Sequence, residues 1–144
     1  MQGIQLRVKR IHALAQLPRY AHHGDAGLDL FSVDDIELPP GESALIRTGI
    51  QIELPPDTEA QIRPRSGLAL KNKVTVLNTP GTIDFGYRGE ICVILINHGR
   101  EPFFVTPGLK IAQMVLSPIH SVEVVESEAL SVSDRGNGFG SSDL

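Results

Sequence analysis

Pairs of turn-forming residues cut this chain at short intervals, and that punctuation leaves room for little except short strands. The separators are Pro39-Pro40-Gly41, Pro55-Pro56-Asp57, Pro80-Gly81, Asn97-His98-Gly99 and Pro107-Gly108. Between them lie runs rich in β-branched residues: Ile4 to Val8, Ala44 to Leu54, Lys73 to Leu77, Glu90 to Asn97, Lys110 to Leu116 and Val122 to Val125. Apolar residues alternate with polar ones in two of them, at Ile4, Leu6 and Val8 and at Ile50, Ile52 and Leu54, where Gln51 and Glu53 supply the polar face. No stretch keeps a helical period. One short helix is expected from Ser66, whose side chain can cap Leu68 to Lys71. The pattern predicts an all-β sandwich or barrel.

With 144 residues, 41% of them hydrophobic, the chain reads as a single domain, residues 1–144. Its apolar runs are too short to span a bilayer, and no apolar signal core follows the charges of the first ten residues, so a soluble intracellular protein is expected. The lone cysteine, Cys92, sits in an apolar run and reads as a reduced, buried thiol without a catalytic role. A net charge of -4 argues against a general nucleic-acid binder, which needs a basic face, yet a few arginines can still hold a small anion.

From Ser131 to Leu144 the composition turns to glycine and serine, with Phe139 as the one aromatic. Composition alone makes this a disordered terminus.

Five segments, spread over nearly the whole chain, resemble in order and approximate spacing the five motifs of the trimeric dUTPase family. They are Asp25-Ala26-Gly27-Leu28-Asp29-Leu30; Pro64-Arg65-Ser66-Gly67-Leu68; Asn78 through Gly81-Thr82-Ile83-Asp84 to Tyr87-Arg88-Gly89-Glu90; Gly108-Leu109-Lys110-Ile111-Ala112-Gln113; and Arg135-Gly136-Asn137-Gly138-Phe139-Gly140-Ser141-Ser142. The resemblance implies a distorted jelly-roll-like fold. It also implies a cytoplasmic homotrimer with shared active sites, and hydrolysis of dUTP to dUMP and pyrophosphate by water attack on the α-phosphate. Such a reaction limits uracil incorporation into DNA and supplies dUMP for thymidylate synthesis.

The third segment reads independently as a hairpin tip between Val74 to Leu77 and Glu90 to Ile96, with free backbone groups. Uracil presents an acceptor, a donor and an acceptor, which extended backbone can match. The resemblance gives this role to Gly81, Thr82 and Ile83, aided by Asn78. Cytosine reverses two of the three positions and would leave buried polar groups unpaired.

By resemblance, Asp84 is the general base for the attacking water, a task that an ordinary ionised carboxylate suits. Read alone, it is a turn aspartate bonded to its own backbone. Tyr87 resembles the residue whose ring packs on deoxyribose and excludes a 2'-hydroxyl; read alone, it is a strand aromatic.

Arg65 has a planar fork suited to phosphate oxygens, and Ser66 and Gly67 stand at the expected helix start, where an anion is favoured. Gln113 and Asp29 are polar groups among apolar neighbours. The resemblance places Gln113 near phosphate and the attacking water, and Asp29 near the triphosphate and metal waters; otherwise both are satisfied core groups. Arg135 then meets the γ-phosphate, Phe139 stacks on uracil, and Gly140 and Ser141 approach phosphate, which makes residues 131–144 a flexible flap. Mg²⁺ is the implied cofactor, carried on the phosphates rather than in a protein cage. His22, His23 and Asp25 fit no standard zinc spacing and read as solvated loop residues.

Lys110 replaces the arginine common before Ile-Ala-Gln, and the tail has one glycine fewer between Gly136 and Phe139. Two rivals stay open: a dCTP deaminase of the same fold, and a catalytically inert nucleotide-binding relative.

Overall fold

The computed structural model describes residues 3–140. Among these residues, eleven strands and one helix follow in the order β1 (Arg7–Arg10), β2 (Arg19–Tyr20), β3 (Leu28–Phe31), β4 (Ile36–Leu38), β5 (Ser43–Glu53), β6 (Thr58–Arg63), α1 (Ser66–Asn72), β7 (Val74–Val76), β8 (Gly81–Ile83), β9 (Glu90–Asn97), β10 (Phe103–Val105) and β11 (Lys110–Pro118). They form a four-stranded sheet, β1-β5-β9-β7, a five-stranded sheet, β2-β3-β11-β6-β8, and a small pair, β10-β4. All pairings are antiparallel. Among the described residues no sheet closes on itself, so of the two forms expected the molecule takes the sandwich.

Alternation produces the layers. Along β9, Ile91, Val93, Leu95 and Asn97 are buried while the residues between them are half-buried, as a period of two requires for a strand with one face on a core. Along β6, Thr58, Ala60 and Ile62 turn inward. One cluster joins the sheets: Ile46, Ile50, Val76, Val93 and Leu95 from the first meet Leu30, Ile62, Ile111 and Met114 from the second. Each such aliphatic side chain, once buried, contributes roughly 1.5–3 kcal/mol before chain entropy is charged. The buried Asn97 amide donates to Leu38 O (3.0 Å) and Glu101 O (2.8 Å) and accepts from Gly99 N (2.8 Å), which satisfies the polar group and ties β9 to β4.

Two irregularities bear on the site. The register of β5 against β9 shifts between Arg47 and Gln51, around Gly49, which has a left-handed φ of 71°. Its amide donates to Glu90 Oε2 at 2.8 Å. The register of β11 against β3 shifts between Lys110 and Ala112. Bulges of this kind re-aim side chains next to functional clefts.

Four expectations need correction. Val122 to Val125 is no strand: Val122 is 75% and Val124 91% exposed, and neither is paired with a strand among the described residues. β-Branched composition makes a strand only where a partner edge and a core exist. The strand expected at Ile4 to Val8 lies further along, at Arg7–Arg10. Ser66 does not cap the helix; Arg65 occupies the cap position in extended conformation, and no side chain among the described residues caps it.

The hairpin was right in its arms and wrong in its tip. Strands β7 and β9 do pair, Val76 facing Leu95, but Gly81 to Ile83 crosses to the other sheet and pairs with β6, Ile62 facing Gly81 and Ala60 facing Ile83.

Candidate active site

That crossing creates the first half of the site. As the last strand of its sheet, β8 has β6 on one side and, among the described residues, no strand on the other. Its outer edge can therefore take an added hydrogen-bonding partner, as sheet edges do. A cavity of about 260 Å³ opens there, lined by Asn78, Gly81, Thr82, Ile83, Asp84 and Tyr87, with Ile62, Val76, Ile91 and Val93 as apolar walls. The Asn78 amide lies over Gly81, where a Cβ would meet Nδ2 at 3.4 Å and Ile62 Cβ at 3.3 Å. Asp84 follows directly on β8 and is exposed; its carbonyl accepts from Tyr87 N at 3.1 Å. Tyr87 turns its hydroxyl back to donate to Glu90 O at 2.8 Å.

A second cavity, about 330 Å³ and polar, is lined by Asp25, Gly27, Asp29, Arg65, Ser66, Gly67 and Gln113 with Ala21 and Ala26. Sheet register assembles it, because Gln113 on β11 faces Asp29 on β3 and Arg63 on β6. Gln113 Nε2 donates to Pro64 O at 3.1 Å. Arg65 Nη1 donates to Lys110 O at 3.3 Å, and Lys110 Nζ stands 3.2 Å from Asp29 Oδ2. The uncapped start of α1 borders the same space. Asp25 Oδ2 accepts from His22 N at 2.8 Å, a loop contact.

The two cavities have no lining residue in common. Extending the register of β8 on β6 sets Asp84 opposite Glu59, whereas Arg65 follows the other end of β6. Six residues of extended chain span on the order of 20 Å at about 3.3 Å each. Within one chain, Asp84 and the Arg65–Gln113 group are thus held apart.

Arg135, Phe139 and Gly140 reach neither cavity. The described part of the tail has no strand or helix, and Phe139 is fully exposed. Ser141 lies outside the described residues.

Outside both cavities, Asp34 holds Arg47 through Oδ1, 2.9 Å from Nε and 2.7 Å from Nη2, and accepts from Arg47 N at 2.7 Å. Burial draws the Asp34 carboxyl upward, but these hydrogen bonds and the guanidinium charge outweigh it and hold the carboxyl below its ordinary range. Cys92, read from the sequence as buried, is half-buried and lines the first cavity, and its partial burial still pushes the thiol up to about 11. Among the described residues no three His, Cys, Asp or Glu side chains cluster as a metal cage, and no helix is long and apolar enough to cross a membrane.

Residue-by-residue reading of the sequence assigned no role to Gly27 or Gly89. A Cβ on Gly27 would lie 2.2 Å from Gln113 Oε1, and one on Gly89 would lie 2.5 Å from the Tyr87 hydroxyl. The available signal was a glycine inside a motif with no turn to explain it.

Comparison with known proteins shows the family of the chain. The sequence model of the dUTPase family matches residues 13–143. A deoxyuridine 5'-triphosphate nucleotidohydrolase of Gloeothece citriformis is 62% identical over 142 residues, 98% of each chain. Its counterpart from Clostridium acetobutylicum is 63% identical over 142 residues, again 98% of each. Among solved structures, the Staphylococcus bacteriophage 80alpha dUTPase with dUPNHPP superposes with a TM-score of 0.91 at 29% identity, covering 97% of this chain and 99% of that one. A mutant dUTPase from phage phi11 of S. aureus, described with a structural Mg(II) ion, gives 0.82 at 25% identity, covering 87% and 97%. With its edge strand, its polar second cavity and these relatives, the chain belongs to the dUTPase family.

Proposed function

We propose that this chain hydrolyses dUTP to dUMP and pyrophosphate at a site completed between subunits. The carrying observation is the β8 edge, whose free side runs directly into Asp84 beside an apolar-walled cavity. Uracil adds to that edge as a short strand would, with Asn78 supplying a side-chain amide and Gly81, Thr82 and Ile83 the backbone groups. The Tyr87 ring forms the wall against the sugar. Asp84 orients a water and takes its proton; the water oxygen bonds to the α-phosphorus, the bridging bond to the β-phosphate breaks, and pyrophosphate leaves.

Arg65, Ser66 and Gly67 bind the phosphates, and Gln113 orients phosphate and water. Because Asp84 and Arg65 stand so far apart in one chain, the first cavity of one protomer faces the second cavity of a neighbour. Closed three-fold symmetry satisfies this with three equal sites. The tail of a subunit, residues 131–144, then closes as a flap, with Arg135 on the γ-phosphate, Phe139 on the base, and Gly140 and Ser141 at the phosphates. The rest of residues 1–144 acts as one domain, and the enzyme works in the cytoplasm.

The second cavity suits Mg²⁺, since Asp25 and Asp29 add carboxylate charge beside the phosphate-binding residues, and magnesium binds through few protein groups with waters retained. When bound, the ion offsets phosphate charge and aligns the chain. Incubating the protein with dUTP and with dCTP, with and without magnesium, tests the reading. Pyrophosphate from dUTP is expected, and ammonia from dCTP would overturn it.

A further inference from the structure

We propose that Gly89 is the positioning residue that sets sugar selectivity, by leaving the space on which the Tyr87 ring is pinned. The inference rests on the reading of Tyr87 as the sugar wall. Tyr87 is 46% exposed, yet its ring is fixed at two points. Its hydroxyl donates to Glu90 O at 2.8 Å, and its ring atoms lie against Gly89. A Cβ there would meet the hydroxyl oxygen at 2.5 Å, Cζ at 2.7 Å and Cε2 at 3.1 Å. Contacts under 3 Å cannot be kept, so any side chain at 89 displaces the ring.

The backbone does not ask for glycine. Unlike Gly49 or Gly108, Gly89 has no left-handed φ, so alanine is conformationally acceptable, and the three nearest atoms its Cβ would meet all belong to the Tyr87 side chain. The anchor is itself held, because the Glu90 carboxylate accepts from Gly49 N at 2.8 Å and fixes the start of β9 to the bulge of β5. Tyr87 and Glu90 line the first cavity while Gly89 does not, which places glycine behind the ring. A ring pinned from behind cannot retreat from a 2'-hydroxyl. A displaced ring no longer fits deoxyribose and can yield to ribose.

The test compares dUTP and UTP hydrolysis by wild type, Gly89→Ala, Tyr87→Ala and the double variant. Gly89→Ala should raise KM for dUTP about tenfold, leave kcat within about threefold, and lower the dUTP-over-UTP preference in kcat/KM by about tenfold or more. In the Tyr87→Ala background the same glycine substitution should change nothing further, since its only route of action is gone. Equal losses from Gly89→Ala in both backgrounds would overturn the proposal, as would full selectivity in a folded Gly89→Ala enzyme. If Tyr87→Ala itself left selectivity intact, the sugar-wall reading would fall instead, and the coupling in dUTP KM would still report whether Gly89 positions the ring. Melting temperatures of all four proteins identify any variant that loses activity by unfolding.

Discussion

Lys110 Nζ lies 3.2 Å from Asp29 Oδ2, while the Lys110 carbonyl accepts from Arg65 Nη1 at 3.3 Å. One residue on the bulged start of β11 therefore holds both an acidic and a basic member of the second cavity. The Asp29 side chain is only 12% exposed, so it depends on its partner. Lys110→Met should cost about 1–2 kcal/mol in urea denaturation, part of the penalty for a nearly buried charge left alone. Lys110→Arg should restore most of it, and equal losses by both variants would show that charge is not what matters.

Gly27 lies against Gln113 as Gly89 does against Tyr87. A Cβ at 27 would lie 2.2 Å from Gln113 Oε1, so alanine must drive the carboxamide out of its bond to Pro64 O. Gly27→Ala should lower kcat for dUTP by about tenfold or more, the scale of one misplaced transition-state contact. Steady-state kinetics with a circular dichroism control measures this; unchanged kcat would remove Gln113 from the reaction.

Asp84→Asn should retain nucleotide binding and lose about 10²- to 10⁴-fold in turnover, the range of a general base. Gln113→Ala should also be impaired. If each site draws Asp84 from one subunit and Gln113 from another, denaturing the two variants together and refolding them should restore about a quarter of wild-type activity, by random assortment. No recovery, with mixed oligomers confirmed by mass, would mean that each chain carries its own complete site.

The Asp34–Arg47 pair has a defined pH signature. A carboxyl held below its ordinary range stabilises the fold fully above its unfolded pKa of about 4, and that contribution disappears as pH falls through the lower folded value. Asp34→Asn should therefore melt below wild type at pH 7, and the gap should narrow once the pH drops below about 4. A gap that stays constant down to pH 2 would assign the effect to packing.

How far the residues alone can be read varies by element. β5, β9 and β11 were legible nearly to their ends, because long β-branched runs between turns have few other uses. β6 was missed although Glu59, Gln61 and Arg63 alternate with Thr58, Ala60 and Ile62, since threonine and alanine are weak apolar signals. β3 was passed over because its four residues include Asp29, whose burial becomes tolerable only when Lys110 arrives from β11. Val122 to Val125 misled for the opposite reason, having strand composition and no edge to join.

The order of turns, strands and motif residues is written along the chain, and it determined the all-β class, the family and the chemical types at the site. Local chemistry reaches only a few residues in either direction. Tertiary structure alone decided that Gly81 to Ile83 leaves its hairpin to become a sheet edge, since pairing with β6 depends on residues some twenty positions away. It also decided that Asp84 and Arg65 stand at opposite ends of one strand, because antiparallel register converts a gap in sequence into a distance in space.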